Sequence, residues 1–165
     1  MATNQKLKIG LDYHGVVDQH LQYFAQFCQI AKLREHQIHI ITGGPKADVE
    51  EYLRNNQIPY DSVFAILDYY QGLGKTEQGS DGKLTVPDHL WNIAKAKYCR
   101  HNHIDFHIDD SIKYLHWFTT PFCLYSKQQN KCYLSPDMEL DFNKAPNVVL
   151  ADLEQISTNL NTISR

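Results

Sequence analysis

The chain has no excess of positive charge: 16 Lys and Arg stand against 19 Asp and Glu, for a formal net charge of −3. A broad basic surface is therefore missing, and with it the footprint of a protein that grips nucleic acid mainly through phosphates; a local basic patch stays open. Cysteine is sparse, and Cys28, Cys99, Cys123 and Cys132 form no C-x-x-C pair. That spacing indicates neither a zinc site nor a disulfide framework, and reduced thiols in a cytosol fit it better. No apolar run approaches the ~20 residues of a membrane span. The opening "MATNQKLK" lacks the apolar stretch of a cleaved signal. The expectation is a cytoplasmic protein with no membrane partner; secretion without a cleaved signal would leave no trace in the sequence.

What is present suits one domain over residues 1–165, with 42% hydrophobic and 21% charged residues and enough length for a real core. Apolar runs alternate with helical patterns. "LKIGLD" (7–12) reads as a buried strand, and 20–36 as an amphipathic helix with Leu21, Phe24, Phe27, Cys28 and Ala31 on one face. Strands follow at 38–42, 63–70 and 104–110, with helices at 46–56 and 87–102 between them. "FCLYS" (122–126) and "NVVLA" (147–151) are further strand candidates, and "DLEQISTNLNTIS" a closing helix. The alternation predicts an α/β fold with a mostly parallel central sheet and helices on both faces. Ligands in such sheets sit at the carboxyl ends of the strands.

The polar, glycine-rich segment 71–87 interrupts this pattern and reads as a flexible excursion, a short hairpin or a small lid. Its "GLGKT" is not a nucleotide loop. Tyr69 stands where that motif needs its first glycine, and polar turn sequence follows in place of a helix.

Chemistry collects at three strand ends: Asp12 with His14 and Gly15, Thr42 with Gly43 and Gly44, and Asp109 with Asp110 and Ser111. Carboxylates gathered at one edge repel and desolvate one another unless a cation joins them. Mg²⁺ suits such a cluster, being a hard ion that takes one or two carboxylates and keeps its waters. Thr42 and the glycine-turn amides offer donors to an anionic oxygen. Lys95 or Lys97, on the helix before the fourth strand, would complete a phosphate site.

"IGLDYHGVV", "IHIIT", "KAKYC" and "FHIDDS" follow one another in order on predicted strands and one helix. Together they resemble the haloacid dehalogenase (HAD) superfamily of phosphohydrolases, whose pattern is h-h-h-D-x-D-G-[TV], then h-h-h-[TS], then Lys, then h-h-h-D-D. The match spans residues 7–111. A response-regulator receiver would need its acidic pair after the first strand and its phosphorylated Asp after the third, an order this chain contradicts. The resemblance implies a three-layer Rossmann-like fold and a Mg²⁺-dependent phosphatase acting on a phosphate monoester through an aspartyl phosphate. Asp12 would be the nucleophile and Thr42, with Gly43, would hold a phosphate oxygen. Lys95, with Lys97 as fallback, would neutralise the forming charge. The metal would be held by Asp12, Asp110, Asp109 as a second or outer ligand, and the backbone carbonyl of His14.

His14 departs from the pattern, standing where the family has its second Asp, the general acid and base. Histidine performs that chemistry near neutrality, but imidazole places its nitrogen farther out. The alternatives are a working enzyme, a slow one, or a catalytically degenerate module that binds phosphate or a partner. About twenty-five residues separate Asp12 from the second strand, too few for a large cap domain there. In the resembling family such openness goes with varied substrates: nucleotides, a nucleic-acid end, small metabolites or phosphoproteins. Specificity is expected from Tyr13, from 69–83 and from the loop after Asp110. Asp18 could reach the site from just past the motif, but capping the helix over 20–36 is the preferred reading, and Ser111 is expected to cap the helix after the fourth strand. His101, His103 and His107 read as solvated or core residues, and Trp91, Trp117 and Tyr98 as packing residues. Tyr69 and Tyr70 are packing residues too, or stack on a substrate ring.

Overall fold

A computed structural model describes residues 6–135 and 138–163. Part of the N-terminal stretch read as lacking a signal, and Ser164 at the end of the expected last helix, lie outside the described residues. The elements in order are β1 (Lys8–Asp12), α1 (Leu21–Leu33), β2 (Gln37–Thr42), α2 (Lys46–Asn55), β3 (Ser62–Ala65) and α3 (Ile66–Gly72). A small hairpin follows, β4 (Glu77–Gln78) and β5 (Leu84–Thr85), then α4 (Asp88–His101) and β6 (Phe106–Asp109). A 3₁₀ helix at Ile112–Trp117 leads into β7 (Phe122–Ser126), β8 (Lys131–Ser135), β9 (Met138–Asp141) and α5 (Pro146–Ile163). None of the helices among the described residues is long and apolar enough to cross a membrane.

The fold is α/β, with a mostly parallel seven-stranded sheet in the order β3-β2-β1-β6-β7-β8-β9. Pairs from β3 through β7 are parallel, and β8 and β9 add antiparallel at one side. Alternate residues of the parallel strands feed two faces. On one, Ile9, Leu11, Ile38, Ile40, Phe106 and Ile108 share a core with helix residues: Phe24, Phe27, Cys28 and Ala31 of α1, Val49 and Leu53 of α2, and Val149, Leu150 and Leu153 of α5. On the other, Ile41 joins Cys99 of α4, while Ile66 and Tyr70 of α3 meet Ala94 of α4. The α5 helix is also tied by charge. Glu154 stands 2.8 Å from Nε2 of buried His36, whose Nδ1 accepts the Leu7 N–H at 3.1 Å.

Two expectations are corrected. "VFAILDYY" is not one strand: β3 stops at Ala65 and Ile66 starts α3, which buries Ile66 and Tyr70, four residues apart, on one helical face. "NVVLA" is not a strand but the opening of α5, where Pro146 stands in the first turn and Val149, Leu150 and Leu153 fall on one side. The strands β8 and β9 were not foreseen. The 71–87 segment begins in α3 and continues into the β4–β5 hairpin.

Candidate functional site

The strand order reverses between β1 and β6: the chain builds outward through β2 and β3, then returns to the other side of β1. A crevice opens at such a switch point, outside the carboxyl ends of the two strands. Asp12 ends β1 and Asp109 ends β6, so sheet topology alone brings these carboxylates together.

The turn after β1 shapes the crevice. His14 is extended and Gly15 adopts φ +83°, the left-handed region that glycine enters freely. A Cβ on Gly15 would stand 2.3 Å from Oδ2 of Asp110, so the glycine also makes room for that carboxylate. The Gly15 N–H donates to Oδ1 of Asp18 at 2.6 Å, and Nδ1 of His14 lies 3.3 Å from Oδ2 of the same residue. Asp18 therefore braces this turn. The expectation that it caps α1 is corrected: His20 holds that position, without a side-chain cap.

Lys95 is buried on α4, with Nζ 2.9 Å from Oδ2 of Asp12 and 2.7 Å from Oδ2 of Asp109. Lys97 is exposed, so the two lysines part company here. Oδ2 of Asp109 also stands 3.0 Å from Nε2 of His107, and its Oδ1 accepts the Ser111 N–H at 2.9 Å. Ser111 takes the N-cap position of the 3₁₀ helix, as expected, but serves Asp109 through its amide and makes no side-chain cap hydrogen bond. His107 fits in the sheet because its strand neighbour is Gly10, where a Cβ would lie 2.9 Å from Nδ1.

Burial pushes the Asp12 carboxyl up to about 8; Lys95 opposes this, and Asp109 and Asp110 add to it. Asp109 is also raised by burial, but the His107 hydrogen bond and Lys95 more than reverse that and hold it well below the usual carboxylate range. Burial depresses Lys95, yet Asp12 and Asp109 outweigh it and leave the ammonium raised. Lys95 thus bridges both carboxylates, and burial with the neighbouring Asp109 and Asp110 makes Asp12 the harder of the two to ionise.

Oxygens of Asp12, Asp109 and Asp110 all lie within 4.8 Å of one another. Hard oxygen donors at that spacing, with one ammonium shared between two of them, fit a divalent cation. Both Asp109 oxygens are engaged inside the protein, whereas Asp12 and Asp110 line an adjoining cavity of about 300 Å³. His14, Gly43, Lys95, Trp91 and Tyr114 line it too. Of the residues singled out from sequence, Thr42 stands apart. It is fully buried at the same edge, with Oγ1 accepting the Gly44 N–H at 3.3 Å, and does not line the cavity. Tyr13 is also buried, against Tyr52, and so is unsuited to substrate selection.

Lys127 escaped the sequence reading, yet its Nζ lies 2.9 Å from Oδ2 of Asp110. Its signal was available: it directly follows β7, a parallel strand whose carboxyl end meets the same crevice. His107, expected as a solvated or core histidine, is buried, and its spacing of two from Asp109 puts both side chains on one face of β6. No protein-family model matches the chain, and comparison with curated proteins and with solved structures finds no match.

Proposed function

We propose that the chain is a HAD-type phosphomonoesterase, a cytoplasmic hydrolase of three-layer Rossmann-like fold without a large cap, working through Asp12. The observation that carries this reading is the bridge from Lys95 to both Asp12 and Asp109 at the switch point, with Asp110 beside it. The four sequence motifs of the resemblance supply those residues in order. A bound Mg²⁺, held by Asp12, Asp110 and the His14 carbonyl, would offset the like charges of carboxylates and phosphate.

Asp12 attacks phosphorus through a carboxylate oxygen, and the bond from phosphorus to the ester oxygen breaks. Lys95, fixed by Asp109, compensates the charge on the transferring group. His14 gives its proton to the departing oxygen. It then takes one from the water that attacks the aspartyl phosphate, so that inorganic phosphate leaves and Asp12 is restored. The His14 side chain is 61% exposed at the cavity mouth and tethered to Asp18, which lets it meet both the leaving group and solvent.

A second reading, a degenerate phosphate- or partner-binding module, draws on one observation. Lys95 on Asp12 and Lys127 on Asp110 place a protein cation on each cavity-lining carboxylate. The deciding experiment is Mg²⁺-dependent hydrolysis of an aryl phosphate over about pH 5–8, the range in which histidine titrates. Wild type, Asp12→Asn and His14→Asp are compared. Turnover lost in Asp12→Asn, with a pH profile changed by His14→Asp, supports the enzyme. Activity untouched by Asp12→Asn refutes the mechanism. Silence in all three variants favours the binding module.

A further inference from the structure

Along α4, Asp88, Trp91, Asn92 and Lys95 recur at three- and four-residue spacing and so share one face. Lys95 opens on the cavity of the carboxylates, while Asp88 and Asn92 line a second cavity of about 390 Å³. Gly43, Trp91 and Lys113 line both, which makes the two cavities neighbours with the indole as their shared wall. From Lys95 back to Asp88 the helix rises about 10 Å. The second cavity is walled by Leu67 of α3, by Val86, and by Leu84 and Thr85 of β5.

Trp91 is held rigidly. Its Nε1 donates to the Tyr114 hydroxyl at 3.1 Å, and a Cβ on Gly43 would stand 2.9 Å from its Cη2. An aromatic ring already fixed in place loses little freedom when a second ring stacks on it. A braced indole, apolar walls and two polar side chains suit a planar heteroaromatic group with a hydrogen-bonding edge. The separation from Lys95 suits a sugar between that group and a phosphate.

We propose that the substrate is a nucleoside monophosphate, its phosphate at Asp12, Lys95 and Asp110 and its base in the second cavity against Trp91. The phosphate end rests on the phosphomonoesterase reading; the base end rests on the second cavity. A simple sugar phosphate would leave that cavity unused.

The test is direct binding. The chain has 2 tryptophans, so Trp117→Phe leaves Trp91 as the fluorophore, and a further Asp12→Asn blocks turnover during titration. With Mg²⁺ present, adenosine 5′-monophosphate should quench Trp91 and bind about tenfold or more tighter than ribose 5-phosphate, the scale expected of one stacked base. In the protein with Asp12 intact, Trp91→Leu should bring kcat/KM for the two compounds close together. Thr85→Trp, at an exposed position of the β4–β5 hairpin, should block the nucleotide and spare ribose 5-phosphate. Equal binding of both compounds, or a preference that survives Thr85→Trp, overturns the inference. Hydrolysis of both at equal efficiency also overturns it and leaves the phosphomonoesterase standing. Nucleotide binding without hydrolysis overturns the nucleotide as substrate together with the phosphomonoesterase, and leaves only a nucleotide-binding site.

Discussion

Gly15 and Asp110 exclude one another's growth: the Asp110 carboxylate fills the volume that any side chain on residue 15 would need. The two come from distant parts of the chain and meet because β1 and β6 are neighbours. Gly15→Ala should therefore act twice. The left-handed backbone costs about 1–2 kcal/mol with a Cβ present, and Asp110 must shift to admit it. Urea unfolding should show a loss of at least that size, and titration calorimetry should show weakened Mg²⁺ binding. A variant with unchanged stability and metal affinity would contradict this geometry.

The raised Asp12 carboxyl makes metal-free stability fall with pH. Its value of about 8 lies above the ordinary 3.8, so the folded state holds a proton that the unfolded state releases. That contribution is complete below the unfolded value and is lost as pH rises through the folded one. His107 and His39 are lowered, mainly by burial, and act in the opposite sense below their ordinary 6.5. The clearest window is thus between about pH 6.5 and 8, with a slope of at most about 1.4 kcal/mol per pH unit. Unfolding in EDTA should show this decline in wild type and its absence in Asp12→Asn. Added Mg²⁺ should flatten the wild-type curve.

Lys127 holds Asp110 with an ammonium that a divalent cation must displace or share. Lys127→Ala should tighten Mg²⁺ binding several-fold while raising KM for a phosphate ester, because the cavity loses a positive charge. Calorimetry and steady-state kinetics read the two effects separately. Weaker metal binding in this variant would mean that Lys127 orients Asp110 and does not compete for it.

Legibility from sequence followed the physics of each segment. β1 and β2 were readable because short apolar runs ended at polar strand termini, and α1 because Phe24, Phe27, Cys28 and Ala31 repeat at helical spacing. "VFAILDYY" is opaque: an apolar run broken only by Asp68 fits strand and helix alike, and the change at Ala65 carries no glycine or proline. "NVVLA" taken by itself fits a strand, whereas Leu153 and Ser157 continue its buried face at helical spacing. At the site, the strand-end carboxylates could be placed from order alone. Spacing puts His107 on the face of Asp109 and Lys127 at the end of β7, but which atoms meet, including the Ser111 amide on Asp109, is set by local geometry that spacing does not fix.

The tie from Glu154 through His36 to Leu7 sets an order of assembly. Every residue that lines the candidate site precedes residue 128, yet the helix covering Phe24, Phe27 and Phe142 on the opposite face is 146–163. On the ribosome those aromatic side chains wait for this 18-residue helix, which takes roughly 1–4 s to synthesise at ordinary elongation rates. A nascent chain stalled before Pro146 would carry the full set of site residues and still expose a sticky face, making it a client for chaperones.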